Sequence, residues 1–492
     1  MERRSFLKFL GLSSSIGLVK GSLAQSAILP LNSTRLSNIP YSGIDSSDID
    51  DVVLSPELKY SILIKWGDPL SKSDYFGFNN DYINFTPIDK FGNEGLLWVN
   101  HEYCDRFTIK DKTLVSKQNV DNEMYSVGGS IIHVKRTNGS WSYIPNSSYN
   151  RRITAQTEIP FANSVQIKGA HSAIGTLGNC AGGKTPWNTI LTCEENYDLF
   201  FGETAYGPNK SNHHIDSYLG WEKYYNYPPE HYGWVVEINP FSGEAKKHTS
   251  MGRFAHECAT TIQTSDDKCV VYTGDDSAGE HIYKFISNSK DSLDTGDLYV
   301  ANIKTGKWLL LDINKNPLLK DKFSSQLELL IRTREAAKFL GATPMDRPED
   351  IEIHPRTKDV YISLTNNKVV SNFHGSILKL SEDNADPSSL SFSSETFLTG
   401  GKDTGFSCPD NLAFDDKENL WFTSDISGYS MKSDKYSSFK NNGLFVVSAS
   451  GKTAGSVIQV ASAPNNAEFT GPCFSPDFSS LFLTLLIVFL LK

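Results

Sequence analysis

A thiol, two carboxyl groups and an amide follow one another at Cys193, Glu194, Glu195 and Asn196. The preceding residues, 187–190, read as a β-strand, so these groups stand at a strand end. Adjacent carboxylates repel each other, and burying them costs several kcal/mol without compensating cations. A thiolate suits a transition metal, and carboxylate oxygens suit iron or calcium. A solvated strand end is the alternative interpretation.

Acids at strand ends recur along the chain in a weak repeat. Each copy has an acid, an apolar strand, a polar turn, a second apolar strand and a final polar or acidic residue. The pairs are Glu257 with Asp275, Glu349 with Asn366, and Asp410 with Asp425, and a fourth copy begins at residue 471. Because a hairpin brings the entry of its first strand and the exit of its second to one end, each pair is expected on one face.

The positioning elements are many short β-rich segments bounded by Gly, Pro, Asn and Asp clusters. Such a pattern with little helix indicates a sandwich, a barrel or a propeller, and the repeat favours the propeller. We therefore predict an all-β, six-bladed β-propeller with extra loops and a short helical insertion near residues 324–340. The strand ends would then converge on one mouth, together with Glu102 and residues 193–196. Turn-capping acids are the competing explanation.

Composition and charge limit the function classes. The 492 residues are 39% hydrophobic and 21% charged, a globular composition. The net charge of −10 argues against nucleic acid as a binding partner and is compatible with bound cations. We expect a monomer that acts on small molecules.

The N-terminus is typical of a twin-arginine signal peptide. Arg3 and Arg4 precede an apolar run at residues 9–19 and a small-residue cleavage site at residues 22–24. We predict a signal at residues 1–24, a linker or wrap at 25–55 and the propeller at 56–484. The translocation machinery would be a partner, and the location periplasmic or extracellular.

The chain has seven cysteines and no CxxC pair, which argues against a zinc ribbon. Because the number is odd, at least one thiol stays outside any intramolecular disulfide, and Cys193 is the candidate.

Several motifs together resemble the PhoX-type alkaline phosphatases. They are the twin-arginine signal, residues 100–103, 191–196, 252–257, 273–276, 347–350 and 409–411. The resemblance extends to about Asp477. It implies a β-propeller that hydrolyses phosphate monoesters with Fe³⁺ and Ca²⁺.

The resemblance also implies roles for individual residues. Cys193 matches the iron-ligating thiolate, and Arg347 matches an arginine that contacts the substrate phosphate. Metal ligands are matched by Glu257 and Glu349, and further ligands by Glu102, Glu194, Asp275 and Asp410. The residues expected to take part in catalysis are Arg347, Cys193 and Glu349.

The end of the chain departs from this family. Residues 485–491 are uninterrupted apolar residues, which is too short for a comfortable membrane span. We interpret residues 485–492 as a truncated or frame-shifted tail that pairs as far as about Thr484. A tail anchor is the competing interpretation.

Two other functions remain compatible with strand-end acids. A calcium-dependent propeller hydrolase of the lactonase type would share the acids without needing Cys193. A non-enzymatic, calcium-stabilised binding propeller would not need Arg347 beside Glu349. The sequence contains no Gly-x-Ser-x-Gly elbow and no P-loop, so a serine nucleophile is unsupported and metal-assisted hydrolysis is preferred.

Overall fold

Antiparallel hairpins of short strands build most of the protein. The computed structural model describes residues 14–20, 39–104, 116–207 and 211–487, with backbone alone at residues 14–20 and Ile487. Within these residues, six sheets of four or five strands follow one another along the chain. We call them blades 1 to 6.

Blades 1 to 4 each take their strands from one continuous segment, whereas blades 5 and 6 combine distant segments. Blade 1 contains Asn80–Pro87, Glu94–His101, Gly128–Thr137, Ser140–Tyr143 and Arg151–Ile153. Blade 2 contains Asn179–Lys184, Ile190–Glu194, Val235–Ile238 and Ala245–His248. Blade 3 contains Thr260–Gln263, Cys269–Gly274, Ile282–Ser287, Gly296–Asn302 and Lys307–Leu310. Blade 4 contains Pro348–Ile353, Val360–Leu364, Ser376–Glu382 and Phe392–Thr399. Blade 5 contains Val53–Leu54, Pro409–Phe414, Asn419–Ser424, Gly443–Ser448 and Val457–Ser462. Blade 6 contains Ala467–Phe474, Ser480–Ile487, Ser14–Lys20 and Leu58–Lys65.

The blades form a closed ring. The first strand of each blade contacts the first strand of the next, and Ala467–Phe474 of blade 6 contacts Asn80–Pro87 of blade 1. Apolar side chains fill the spaces between blades, as where Val270 of blade 3 meets Ile362 of blade 4. Each such buried side chain contributes roughly 1.5–3 kcal/mol, so the packing fixes the strand ends around one axis. The predicted β-propeller is confirmed.

Helices and two small sheets lie outside the ring. In the part of the chain that the structure describes, the α-helices are Lys117–Ser126, Asp198–Phe201, Pro317–Lys320, Gln326–Ile331 and Thr333–Phe339. The last two occupy the predicted helical insertion. The two-stranded sheets are Glu158–Pro160 with Ser172–Ile174, and Glu203–Ala205 with His213–Ile215. No helix in the described part of the chain is long and apolar enough to cross a membrane.

Both ends of the chain meet in blade 6, where the boundaries differ from the prediction. The strand Ser480–Ile487 continues past Thr484, and its residues Leu485 and Leu486 pair with Phe469 and Glu468. The tail residues 488–492 lie outside the described residues.

The N-terminal segments are also part of the sheets. Ser14–Lys20, within the predicted signal peptide, pairs between Leu58–Lys65 and Ser480–Ile487. In the predicted linker, Ile39 and Tyr41 are buried and Val53–Leu54 pairs with blade 5. The other residues of the predicted signal lie outside the described ranges.

Candidate active site

A cavity of about 320 Å³ opens on the axis, at the end of the ring where the first strands begin. Nine acidic residues line it. The acids are Asp81, Glu102, Glu195, Glu257, Asp276, Glu349, Asp410, Asp425 and Glu468. The remaining lining groups include Cys180, Arg347, Asn366, Lys368, Ser427, Ser430 and Leu486.

Equivalent positions of blades 1 to 5 supply most of these groups. In each blade one residue pair closes the hairpin at the cavity end. The pairs are Asn80 with His101, Asn179 with Glu194, His256 with Asp275, Pro348 with Leu364, and Pro409 with Ser424. We call the residue after the first partner the entry residue and the residue after the second partner the exit residue. All five entry residues line the cavity, namely Asp81, Cys180, Glu257, Glu349 and Asp410. Four exit residues do so as well, namely Glu102, Glu195, Asp276 and Asp425.

Local irregularities of the strands direct the side chains of the entry residues toward the cavity. The pairing register shifts directly after the closing pair in blades 1, 2, 4 and 5. Such a β-bulge places two residues opposite one and redirects the side chains, which is common beside active sites. The bulges therefore explain how residues of the innermost strands reach the axis.

The thiol of Cys180 lies among carboxyl groups. Its Sγ donates to Glu257 Oε1 at 3.1 Å and to Asp81 Oδ2 at 3.4 Å. Burial, followed by the charge of Asp81, raises the pKa of the Cys180 thiol well above its ordinary value. A bound cation would reverse this effect, because it stabilises the thiolate.

Arg347 is held by carboxylates on two blades. Its Nε and Nη2 donate to the two oxygens of Asp276 at 2.8 Å each, and Nη2 lies 2.7 Å from Glu349 Oε1. Its Nη1 is 3.8 Å from Asp425 Oδ2, beyond hydrogen-bond distance. The backbone φ of +55° at Arg347 lies in the left-handed region, a strained conformation often found at functional sites.

The cavity holds more carboxyl groups than its own cationic side chains could balance if all were ionised. Nine carboxyl groups line it against Arg347 and Lys368. Burial raises the pKa of Glu102 to about 8. Burial and neighbouring acids also raise the pKa values of Asp81, Glu195, Glu257, Glu349, Asp410 and Glu468 well above their usual range. Within the described residues, the buried atoms Asp81 Oδ1, Glu257 Oε2 and Glu468 Oε2 have no hydrogen-bond partner.

Three overlapping groups of side chains could hold metal ions. They are Asp81, Glu102 and Cys180; Cys180, Glu195 and Glu257; and Glu257, Asp276 and Glu349. Within each group the candidate ligand atoms lie within 4.8 Å of one another. Cys180 and Glu257 each belong to two groups, so adjacent ions could share them. The unpartnered carboxylate oxygens and the oxygen-rich donor set fit bound cations.

Five of the residues predicted from the sequence line the cavity. They are Glu102, Glu257, Arg347, Glu349 and Asp410. Asn196, the last residue of the strand end 193–196, and Asp276, which follows Asp275, line it as well.

Cys193 and Glu194 do not line the cavity, which corrects their predicted roles. Cys193 is fully buried in an apolar cluster with Leu191 and Val235. Glu194 is an ion-pair partner in the interior: its Oε1 lies 2.6 Å from Lys247 Nζ, and its Oε2 accepts the N–H groups of residues 233 and 234. Both precede the exit residue of blade 2, and the strand directs them into the protein.

Asp275 is likewise directed away from the cavity. Arg334, on the inserted helix Thr333–Phe339, donates to its two oxygens at 2.8 and 2.5 Å. Burial raises the pKa of Asp275 to about 6, and the Arg334 guanidinium opposes that shift. The neighbouring Asp276 is the exit residue of blade 3. The offset between predicted and observed acid is thus one residue.

The sequence interpretation missed Asp81, Cys180 and Glu468 as site residues, and it placed Glu195 and Asp425 at the mouth without naming either as a metal ligand. Cys180 begins a strand that contains Gly182 and Gly183, a composition that does not suggest a strand. Its detectable signal was the parallel with Asn80 and Asp81, since Asn179 and Cys180 are likewise the first two residues of an innermost strand.

One family model matches most of the chain. The family model described as alkaline phosphatase PhoX matches residues 39–486. A comparison with curated protein sequences finds no match.

Among solved structures, Pseudomonas fluorescens PhoX in complex with vanadate, a transition state analogue, is similar, with a TM-score of 0.82 and 29% identity. The similarity covers 91% of this chain and 93% of that one. A putative 6-phosphogluconolactonase from Bacteroides uniformis ATCC 8492 has a TM-score of 0.32 and 10% identity over 91% of this chain and 95% of its own, too distant to bear on function. The family match covers most of the sequence, and the chain therefore belongs to the PhoX family of alkaline phosphatases, which are phosphoric monoester hydrolases.

Proposed function

We propose that this phosphatase hydrolyses phosphate monoesters in the axial cavity with a cluster of Fe³⁺ and Ca²⁺. The observation that carries the proposal is the overlap of the three ligand groups at Cys180 and Glu257. A thiolate favours a transition metal such as iron, whereas the carboxylate groups suit calcium.

The proposed ligands replace part of the set expected from the sequence. Glu102, Glu257 and Glu349 are retained, and Cys180 takes the role expected for Cys193. Asp276 and Glu195 take the roles expected for Asp275 and Glu194. Asp410 is retained as a further ligand from the entry position of blade 5. The excess of nine lining carboxyl groups over two cationic side chains supports this assignment, because buried acids need counter-charges.

Arg347 is the proposed phosphate-binding side chain. Bound cations would neutralise phosphate oxygens and lower the pKa of a coordinated water. Asp276 and Glu349 orient the guanidinium and leave Nη1 free for a phosphate oxygen. Because Asp276 holds Nε and Nη2 together, the plane of the guanidinium is fixed before substrate arrives.

The similar Pseudomonas fluorescens protein, whose complex contains vanadate as a transition state analogue, supports phosphoryl chemistry in this cavity. A calcium-only hydrolase of the lactonase type would leave the thiol of Cys180 among the acids without a role. A binding propeller without activity would give no role to Arg347 beside Glu349.

The test is metal analysis of purified protein combined with two cysteine variants. We expect iron and calcium, a thiolate-to-ferric absorption band and release of phosphate from p-nitrophenyl phosphate that vanadate inhibits. Cys180→Ser should remove or shift the band and abolish most activity, whereas Cys193→Ser, in the apolar core, should retain the band. Calcium without iron, or loss of the band in Cys193→Ser alone, would contradict the proposal.

Export through the twin-arginine route is proposed for the same protein. Arg3 and Arg4 ahead of an apolar segment support it. Changing both to Lys should leave the precursor in the cytoplasm, as measured by fractionation. Unchanged export of that variant would contradict the assignment.

A further inference from the structure

Lys368 is a second cationic side chain of the cavity, and it differs from Arg347 in having no ionic partner among the residues that the structure describes. Arg347 is engaged by Asp276 and Glu349. Lys368 is exposed at the mouth, and within the described residues its ammonium group makes no ion pair or hydrogen bond. A lysine that lines a cavity with nine carboxyl groups yet pairs with none of them is available to a ligand.

The loop that carries Lys368 is fixed relative to Arg347. Asn367 and Asn372 pair through their backbones, and their side-chain amides donate to the two oxygens of Asp346 at 2.8 and 2.9 Å. Asp346 directly precedes Arg347 in the chain. The distance between the proposed phosphate-binding guanidinium and the Lys368 loop is therefore set by a hydrogen-bonded clasp and does not depend on a mobile segment.

Uncharged polar groups line the cavity together with Lys368. Asn366 lies on the same loop as Lys368, and Ser427 and Ser430, which follow the strand Asn419–Ser424 of blade 5, line the same cavity. Ser427 Oγ donates to Ser430 Oγ at 2.9 Å, which leaves the Ser430 hydroxyl hydrogen for another acceptor. Amide, hydroxyl and ammonium groups together suit a polar, anionic alcohol better than an apolar one.

We propose that Lys368 binds a second anionic group on the leaving alcohol, so that the enzyme favours phosphate monoesters whose alcohol carries a carboxylate or a further phosphate. The inference rests on the proposed function, because it needs the transferred phosphate to lie at Arg347. Without Lys368, the carboxyl groups of the cavity would repel a second anion. The ammonium group acts as a point charge, so it can bind a carboxylate or a phosphate without a fixed geometry.

Two substrates that differ in one group test the inference. Glycerol 3-phosphate and 3-phosphoglycerate present the same phosphate, but only the second carries a carboxylate. For Lys368→Gln we expect roughly a 5- to 10-fold loss of kcat/KM on 3-phosphoglycerate, mostly in KM, and a loss of at most about twofold on glycerol 3-phosphate. Lys368→Arg should recover most of the loss. Lys402→Gln removes a charge from a neighbouring loop outside the cavity lining. It should change kcat/KM by the same factor on both substrates.

The outcomes separate this inference from the proposed function. Equal losses on both substrates that disappear at high salt would show general electrostatic steering and overturn the inference. No selective loss in Lys368→Gln would overturn it as well. Failure of the proposed function would appear differently, as wild-type protein that hydrolyses neither substrate nor p-nitrophenyl phosphate.

Discussion

At the scale of single residues, Arg347 performs two tasks that a lysine could not perform together: it contacts Asp276 through two nitrogens and keeps Nη1 for the substrate phosphate. Its planar guanidinium binds both oxygens of Asp276 and still presents Nη1. Arg347→Lys keeps the charge but loses the fork, so kcat/KM should fall roughly 10- to 1000-fold with little change in melting temperature. Vanadate inhibition should weaken in parallel.

A matched control exists in Arg356, which forms the same two-nitrogen contact with Glu418. Arg356→Lys makes the same substitution outside the axial cavity and should leave activity unchanged. If Arg347→Lys unfolds the protein while activity per folded molecule is preserved, Arg347 is a structural residue.

The cavity acids predict an unusual pH dependence for metal-stripped protein. Burial raises the pKa of Glu102 from 4.5 to about 8. The folded protein then binds more protons than the unfolded chain between these values, so stability is retained below about pH 4.5 and lost as pH rises through 8. The melting temperature of the metal-free form should fall over this range, and Fe³⁺ with Ca²⁺ should restore it. Glu102→Gln should reduce the fall of the melting temperature with pH, and an unchanged fall would contradict this explanation.

At the scale of strands and hairpins, the sequence could predict convergence but not which acid converges. The hairpin argument correctly brought entry and exit positions to one end. It could not tell which residue of each adjacent pair faces the cavity, Asp275 or Asp276 and Glu194 or Glu195. Adjacent strand residues point to opposite faces, so an error of one residue changes the assignment. The bulges after the closing pairs leave no compositional signal, and they alter the alternation on which such an assignment relies.

The pair Asp275 and Asp276 tests this assignment directly. Asp275→Asn weakens a buried contact to Arg334, so we expect a stability loss of roughly 2–4 kcal/mol with metal content retained in the folded fraction. Asp276→Asn removes a proposed ligand and the partner of Arg347, so metal content and activity should fall. Calorimetry and elemental analysis of both variants distinguish the two roles. The reverse pattern would restore Asp275 as the ligand.

At the scale of the whole molecule, the repeat was sufficient to predict a propeller, whereas the way its ends join was not predictable. Blades 1 to 4 are each formed by one continuous segment, and local hairpins carry the repeat. Blade 6 combines segments 14–20 and 58–65 with 467–487, and no sequence pattern links such distant strands. Cleavage of the predicted signal would remove Ser14–Lys20 from this blade, so the mature form should expose more of the edges that this strand covers.

The C-terminal strand gives the last prediction. The sequence indicated that pairing ends at about Thr484, and an unpaired tail could be deleted without affecting activity. In the structure, Leu485 and Leu486 are 5% and 4% exposed. Leu486 pairs with Glu468 and lines the cavity. Removing the two buried leucines should cost roughly 2–5 kcal/mol each and open the cavity wall beside Glu468.

Two truncations separate the working strand from the remaining tail. Deletion of residues 485–492 should lower the melting temperature, the metal content and the activity. Deletion of residues 488–492 removes only the last apolar residues and Lys492, so it should reduce aggregation and retain activity per folded molecule. Size-exclusion chromatography, melting curves and phosphate release measure these effects. If both truncations retain stability and activity, the closing strand ends before Leu485, and blade 6 closes the ring without the contacts of Leu485 and Leu486.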